Sequence, residues 1–417
     1  VAADNCPPKT RAGSRPARHQ AKNRYLQTTS TPEHRRRATA NLGAGSSASL
    51  ALVSERCERH RSGNNRLAMV DVTIYGAGIF GLSIGWACAR RGAAVQIYDP
   101  NGVATGSSGG PVGALTPHVP ENWNIKKAFQ FDSLIAAEPF WRNVEAASGL
   151  TSGYSRTGRL QPIADDQALA LARAREGMAQ TLWQGQASWK VVRADPHAHW
   201  APQSLSGWLI HDTLSARIQP RSACLALAAA LRNKGAGVAS EGPERGIVVH
   251  ATGWKGLRDL SAGFNQPVGD GVKGQAALVR YGAEDTAPQL FADALHIVPH
   301  VDGSVAIGST SEHNFNDPTV TDFQLDNVLA RAMSSVPLLQ NAPVIARWAG
   351  VRPRAKSRAP MLGPYPGKPG HFIANGGFKI GFGMAPKIAD VMADLILEGR
   401  DAIPDVFLAE NCLAGRR

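Results

Sequence analysis

Apolar positions in this 417-residue chain fall into blocks whose period changes along its length. Residues 1–68 show no such period, and their best apolar run, Ala48–Val53, is short. The first ordered pattern lies in Val70–Pro100, where Val72, Ile74 and Tyr75 run into a cluster of glycines and Ala93–Tyr98 follows as a second apolar run. It reads as strand, glycine turn, helix, strand. Near-helical spacing of Phe129, Leu134, Ile135, Phe140, Trp141 and Val144 predicts a long helix over Ile125–Ala147 with a core-facing stripe. A strand at Gly158–Ile163, a helix over Asp165–Ala179, an extended segment at Leu209–Gln219, a helix over Arg221–Asn233 and a buried-type strand at Gly246–Gly253 come next. From Gly274 the period shortens, with strands expected at Gln275–Tyr281, Ala294–Pro299 and Ser304–Ser309 and a hairpin turn at Asp302-Gly303. A helix over Asp322–Ser335, a strand at Phe372–Asn375 and a final helix over Met384–Glu398 complete the pattern, with Pro386 in that helix's first turn and Gly399 just past its end. Parallel character early, antiparallel character later and a return at the end predict two interleaved domains. One takes residues 69–155, 208–273 and 347–405, the other 156–207 and 274–346, with 406–417 as a tail.

Charge alters this picture in one place. The formal net charge is +12, but residues 1–68 hold thirteen lysines and arginines against four acids, leaving thirty-two against twenty-nine in the rest. The body is nearly neutral, which argues against nucleic acid as a partner. The leading segment, rich in Arg, Ser, Ala and Pro, cannot build a core and is expected to be a disordered basic tail or an over-extended gene start, since Met69 stands just before the first strand. The other reading of it is an organelle transit peptide, which would place the protein in an organelle matrix rather than the cytoplasm. No uncharged apolar run of 18 residues occurs, so no membrane-spanning helix is expected. Five cysteines without a C-x-x-C pair point to free thiols in a reducing compartment, and no tight His/Cys/acid cluster suggests a metal.

Candidate chemistry centres on Gly76-Ala77-Gly78-Ile79-Phe80-Gly81. Gly76 allows the tight turn, Gly78 lets backbone approach a pyrophosphate, and Gly81 lets the helix pack close to the strand. The anion would sit on the helix N-terminus, where unpaired N–H groups and the helix dipole favour negative charge. Asp99, followed by Pro100, is spaced to accept hydrogen bonds from a ribose. By itself this stretch fits NAD, NADP or FAD. The next segment, Asn101–Val119, is unusually rich in Gly and Ser, so that Ser107, Ser108 and the backbone of Gly113, Ala114 and Leu115 can lie along an extended ligand. The strand ending in Ala251-Thr252-Gly253 offers a further close approach of backbone to a cofactor.

Five stretches in one order, YGAGIFG…YDP, GSSGGPVGALTPH, VVHATGW, WAGVRP and NGGFKIGFGMAP, resemble the D-amino-acid oxidase and glycine oxidase family of FAD-dependent oxidoreductases. The resemblance implies an α/β fold with a Rossmann-like FAD-binding domain interleaved with a smaller antiparallel-sheet substrate domain. It implies oxidation of an amine or small amino acid, with hydride passing to flavin N5 and the imine then hydrolysed. FAD would be non-covalent, because no cysteine lies between residues 225 and 411. Partners would be an amine or amino-acid substrate and O2 or another electron acceptor, and a homo-oligomer remains open. On this resemblance Arg352 pairs with the substrate carboxylate and Lys379 stands where glycine oxidases carry a second substrate-contacting Arg. Thr252, Gly253, Gly376, Gly377, Phe378, Ile380, Gly381 and Phe382 join the cofactor site. The helix dipole at Ala385-Pro386 would face reduced flavin. Three departures stand out: Gly377 replaces the usual His, and Ala355 and Ser357 replace the usual Thr and Asp. They keep open a dehydrogenase using a quinone or carrier, an enzyme like the tRNA aminomethyl-uridine oxidases, and a non-catalytic FAD-binding subunit.

Overall fold

Two sheets carry the chain in a computed structural model that describes residues 70–195 and 197–413. The expectations for residues 1–68 lie outside that range. In chain order the elements begin with β1 (Val72–Tyr75), α1 (Ile79–Arg90), β2 (Val95–Tyr98), β3 (Ala114–Leu115) and α2 (Ile125–Ser148). They continue with β4 (Arg159–Pro162), α3 (Asp166–Leu182), β5 (Trp189–Arg193), β6 (Trp208–Asp212), β7 (Ala216–Arg217), α4 (Pro220–Asn233) and β8 (Gly237–Ala239). Then come β9 (Ile247–His250), α5 (Gly253–Gly263), β10 (Gly269–Arg280), β11 (Gln289–Ala292), β12 (Leu295–Pro299), β13 (Ser304–Gly308) and α6 (Phe323–Ser335). The last are β14 (Val344–Ala355), β15 (Met361–Pro364), β16 (His371–Asn375), α7 (Gly381–Glu398) and α8 (Ala409–Leu413).

The first sheet has the order β15-β16-β9-β1-β2-β8 and is parallel except for the β15 edge. Parallel neighbours need crossover connections, and the α1 crossover returns the chain over one face. Every residue of α1 from Ile79 to Ala89 is buried, because α4 and α7 pack against it while its inner side meets the sheet. Fully burying each of its large side chains, such as Leu82 and Ile84, contributes roughly 1.5–3 kcal/mol. The second sheet has the order β14-β10-β13-β12-β11-β4-β6-β5 and is antiparallel apart from the β11–β4 pair. The long α2 starts where the Asn124 side chain accepts hydrogen bonds from the N–H groups of Lys126 (3.0 Å) and Lys127 (3.2 Å), and it ends at the left-handed Gly149. Its expected stripe is buried apart from the half-buried Ile135.

Several boundaries differ from the sequence expectation. β6, β10 and β14 all belong to the antiparallel sheet, so breaks at 207/208, 273/274 and 346/347 assign β6 and most of β14 to the wrong side and cut β10 in two. The glycines at 269, 271 and 274 hid the first half of β10 as a strand. The strands β5 and β11 and the helix α5 were not expected at all. The tail is not loose: Leu408 bridges to Leu362, and Phe407 and Leu413 are buried. The final helix begins at Gly381, one turn before the expected start, and Pro386 sits inside it. The proline removes one backbone bond. The preceding turn stays helical with Gly383, Met384 and Ala385 buried. The positive end of that dipole is therefore presented by residues 381–384, not by Ala385-Pro386.

Candidate active site

A cleft of about 940 Å³ opens between the C-terminal ends of the parallel strands β1, β2 and β9 and one face of the antiparallel sheet. That volume is within the range of ligand-binding cavities. All of the expected site residues line it except Gly81, Leu115 and Gly376. Gly81 lies beneath the turn, where a Cβ would stand 1.9 Å from the Gly76 carbonyl oxygen. Leu115 points into the core while its strand neighbour Ala114 faces the cleft. Gly376, at φ +78°, makes the turn against Ala355.

At the nucleotide end the glycine turn is braced by side chains. One Asp99 carboxylate oxygen accepts the Ala77 N–H at 2.9 Å and the other accepts the Asn101 N–H at 3.0 Å. Ser108 Oγ accepts the Ile79 N–H at 3.0 Å. Asp99 thus orders the turn first, and only its remaining lone pairs are free for a ribose. The N–H groups of Gly78 and Phe80 find no acceptor among the described residues, and both aim from the start of α1 into the cleft wall. Two free donors on a helix N-terminus are an anion cradle.

The opposite wall is a row of cross-strand neighbours. Trp348 pairs with Ala276, Ala276 with Gly308, Gly308 with His296, and His296 with Phe291, so all of them face the same side of the sheet. Two residues along β14 from Gly350, Arg352 shares this face. Its guanidinium donates to Ser309 Oγ at 2.7 Å and to the Thr310 carbonyl at 3.3 Å, both neutral acceptors. The nearby Glu312 is already engaged by the Gln275 amide (3.1 Å), the Thr310 hydroxyl and Lys273 (3.8 Å). Arg352 and Lys379 make no ion pair among the described residues. Burial pulls the Arg352 guanidinium down to about 10, opposed by Glu312, so it stays charged at neutral pH. Burial and then Arg352 and Arg354 lower the Lys379 ammonium. His296 is pushed to about 3 by burial, then by Arg159, Lys379 and Arg352, and presents a neutral ring whose Nδ1 has no partner. His118 and His300 are held by Gln130 and by the Pro111 carbonyl, and Tyr154 Oη is buried without a partner.

Gly274 is what allows Arg352 its position. A Cβ there would fall 1.9 Å from Nη1 and 2.3 Å from Cζ, so the guanidinium lies flat on the strand backbone. Gly274→Ala is expected to fold, because a flexible side-chain end can swing away. It should weaken binding of a carboxylate ligand by about tenfold or more, the scale of a lost charge-assisted contact. Titrating the holoprotein with acetate or benzoate and following the flavin spectrum checks this; unchanged affinity would refute it.

Residues 71–395 match the family of FAD dependent oxidoreductases, the DAO family. The chain belongs to that family. Glycine oxidase of Pseudomonas putida is 36% identical over 160 residues, 38% of this chain and 43% of that protein. Glycine oxidase of Pseudomonas aeruginosa is 35% identical over 168 residues, 40% of this chain and 46% of its own length. The chain thus spans under half of these two relatives in the matched region. Glycine oxidase of Geobacillus kaustophilus is 25% identical over 358 residues, covering 78% of this chain and 92% of that one. The solved glycine oxidase from Bacillus cereus superposes with a TM-score of 0.69 at 22% identity, over 80% of this chain and 96% of the other, and so shares the fold.

FAD is the cofactor of a DAO-family oxidoreductase, and the residues present fit it. The free Gly78 and Phe80 N–H groups suit a pyrophosphate, Asp99 a ribose, and the wall from Gly377 to Gly383 brings backbone and the start of α7 to the far end. One departure from the family has a packing cause. A Cβ at Gly377 would stand 2.8 Å from the Phe80 ring, so Phe80 fills the space a larger residue at 377 would need. Trp348 was within reach of sequence reasoning, since Trp348, Gly350 and Arg352 alternate along one strand. His296, Phe291 and Ala276 reach the site only through cross-strand register and leave no local signal.

Proposed function

We propose that the chain oxidises the carbon–nitrogen bond of a small amine or amino acid bearing a carboxylate. The observation that carries this reading is Arg352, a half-buried guanidinium facing the cleft with neutral partners only. A guanidinium fork binds a carboxylate bidentately, which would fix the reacting carbon in one orientation. Lys379 adds attraction as a point charge without the fork. Trp348 and Phe291 give the cleft apolar walls that exclude water. The neutral His296 places no charge against the substrate amine. Bound FAD supplies the two-electron acceptor, and the imine left by oxidation hydrolyses in water. O2 or another acceptor would then reoxidise the protein.

Anaerobic mixing of the yellow holoprotein with glycine, sarcosine and a panel of D-amino acids tests this. At least one should bleach the flavin absorbance, and failure with all amines would overturn the assignment. A pH dependence follows from Lys379. A cation with a lowered pKa loses its charge earlier as pH rises, so carboxylate affinity should fall on the alkaline side before ordinary lysines titrate. KM measured from neutral to alkaline pH should rise, and Lys379→Arg should flatten that rise.

A further inference from the structure

A second cavity, of about 930 Å³, lies beside the active-site cleft where α5 meets the start of β10 and the end of β14. No residue lines both. Its wall carries Arg258, Arg354, Lys356, Arg358 and His313 against a single acid, Asp270. Asp270 is already committed, since it accepts from Arg258 Nε at 2.6 Å and from the Gly271 N–H at 2.6 Å. Arg354, Lys356 and Arg358 make no ion pair among the described residues, and Lys356 and Arg358 are exposed. They are held in place by the backbone: the Lys356 N–H donates to the Val268 carbonyl (2.8 Å), and the Arg358 N–H donates to the Ala355 carbonyl (2.9 Å) in a turn where Arg358 adopts φ +57°. In the sequence this is Arg354-Ala355-Lys356-Ser357-Arg358, cations separated by small residues, with Ser357 where an acid would have cancelled one of them. Near-neutrality of the whole body conceals a local excess of three positive charges.

We propose that this groove is a binding site for a multiply charged, phosphate-bearing anion. A concave wall of one sign focuses the field and raises the local concentration of such a ligand. Each exposed pair is worth at most about 1 kcal/mol, so a single carboxylate gains little. Only a ligand that engages several cations together is retained, and guanidinium forks match phosphate oxygens in pairs. Polar groups of Ser261 and Asn265 line the α5 side and can take remaining oxygens. The site is separate from the one that orients the oxidised substrate, because its charges neither touch Ser309 nor share the Arg352 wall.

The test uses the holoprotein with two probes, sodium pyrophosphate by calorimetry and a short labelled single-stranded oligonucleotide by fluorescence anisotropy. At least one should bind at about 50 mM salt and weaken at about 200 mM. Pyrophosphate alone binding identifies a small phosphate ester as the ligand, and the oligonucleotide alone identifies a strand. The double variant Lys356→Glu/Arg358→Glu should lose about tenfold or more in affinity, as expected when two of three free cations reverse sign, with flavin absorbance and amine bleaching unchanged. Binding of neither probe, or equal binding by the variant, overturns the proposal. Amine bleaching in the same preparation reports separately on the oxidase reading.

Discussion

Arg352→Ala is expected to raise the KM for a carboxylate-bearing amine by about ten- to a hundred-and-fifty-fold, corresponding to about 1.5–3 kcal/mol for a lost hydrogen-bonded charge contact. FAD should remain bound, because the guanidinium contacts Ser309 and Thr310 and not the glycine turn. The loss should be selective: an amine of similar size without a carboxylate should react no worse than before. Steady-state kinetics on such a matched pair, with flavin content measured in each preparation, checks the expectation. An unchanged KM would remove Arg352 from the substrate site. Replacement by Lys should recover only part of the loss, since an ammonium has the charge but not the planar pair of donors.

Gly81→Ala should produce a protein that loses FAD. The Cβ it introduces would lie 1.9 Å from the Gly76 carbonyl oxygen and 3.2 Å from an Ile74 methyl carbon. Neither the backbone carbonyl nor the strand beneath can retreat without moving β1 away from α1. Overpacking of this kind costs about 1–3 kcal/mol. The displacement falls on the Gly78 and Phe80 N–H groups that cradle the anion, so cofactor affinity should drop by about tenfold for every 1.4 kcal/mol lost there. The ratio of flavin to protein absorbance after dialysis, with the thermal midpoint of the apoprotein alongside, measures both effects. Full retention of flavin would show that the turn tolerates a larger separation of helix and strand. Gly76→Ala is a useful companion, since Gly76 has φ +109° and a Cβ there would meet the Ala251 carbonyl at 2.3 Å.

These two residues also mark how much could be read before the fold was known. The glycine turn is legible because its chemistry is local: a strand, three glycines and an acid at a fixed distance dictate one turn and one helix start. Even so, the sequence reading gave Asp99 only a ribose. Its carboxylate also receives the Ala77 and Asn101 N–H groups, a bond pattern that depends on how β2 ends beside β1. The start of α7 was misread for a related reason. Pro386 marks a helix start by propensity, but burial of Gly383, Met384 and Ala385 holds an extra turn ahead of it.

The sequence alone determined the parallel nucleotide unit, the late return of the chain and the family resemblance, because each rests on contacts between residues near in the chain or on motifs in order. The tertiary structure decided the rest. Cross-strand register set His296, Phe291 and Ala276 beside Arg352, and the missing Cβ of Gly274, seventy-eight positions earlier, let the guanidinium lie against the sheet. It also gathered Arg258 with the cations that follow Pro353, a juxtaposition invisible in a nearly neutral composition. Periodicity specifies which face of a strand a residue occupies, but only pairing specifies which strand lies next to it.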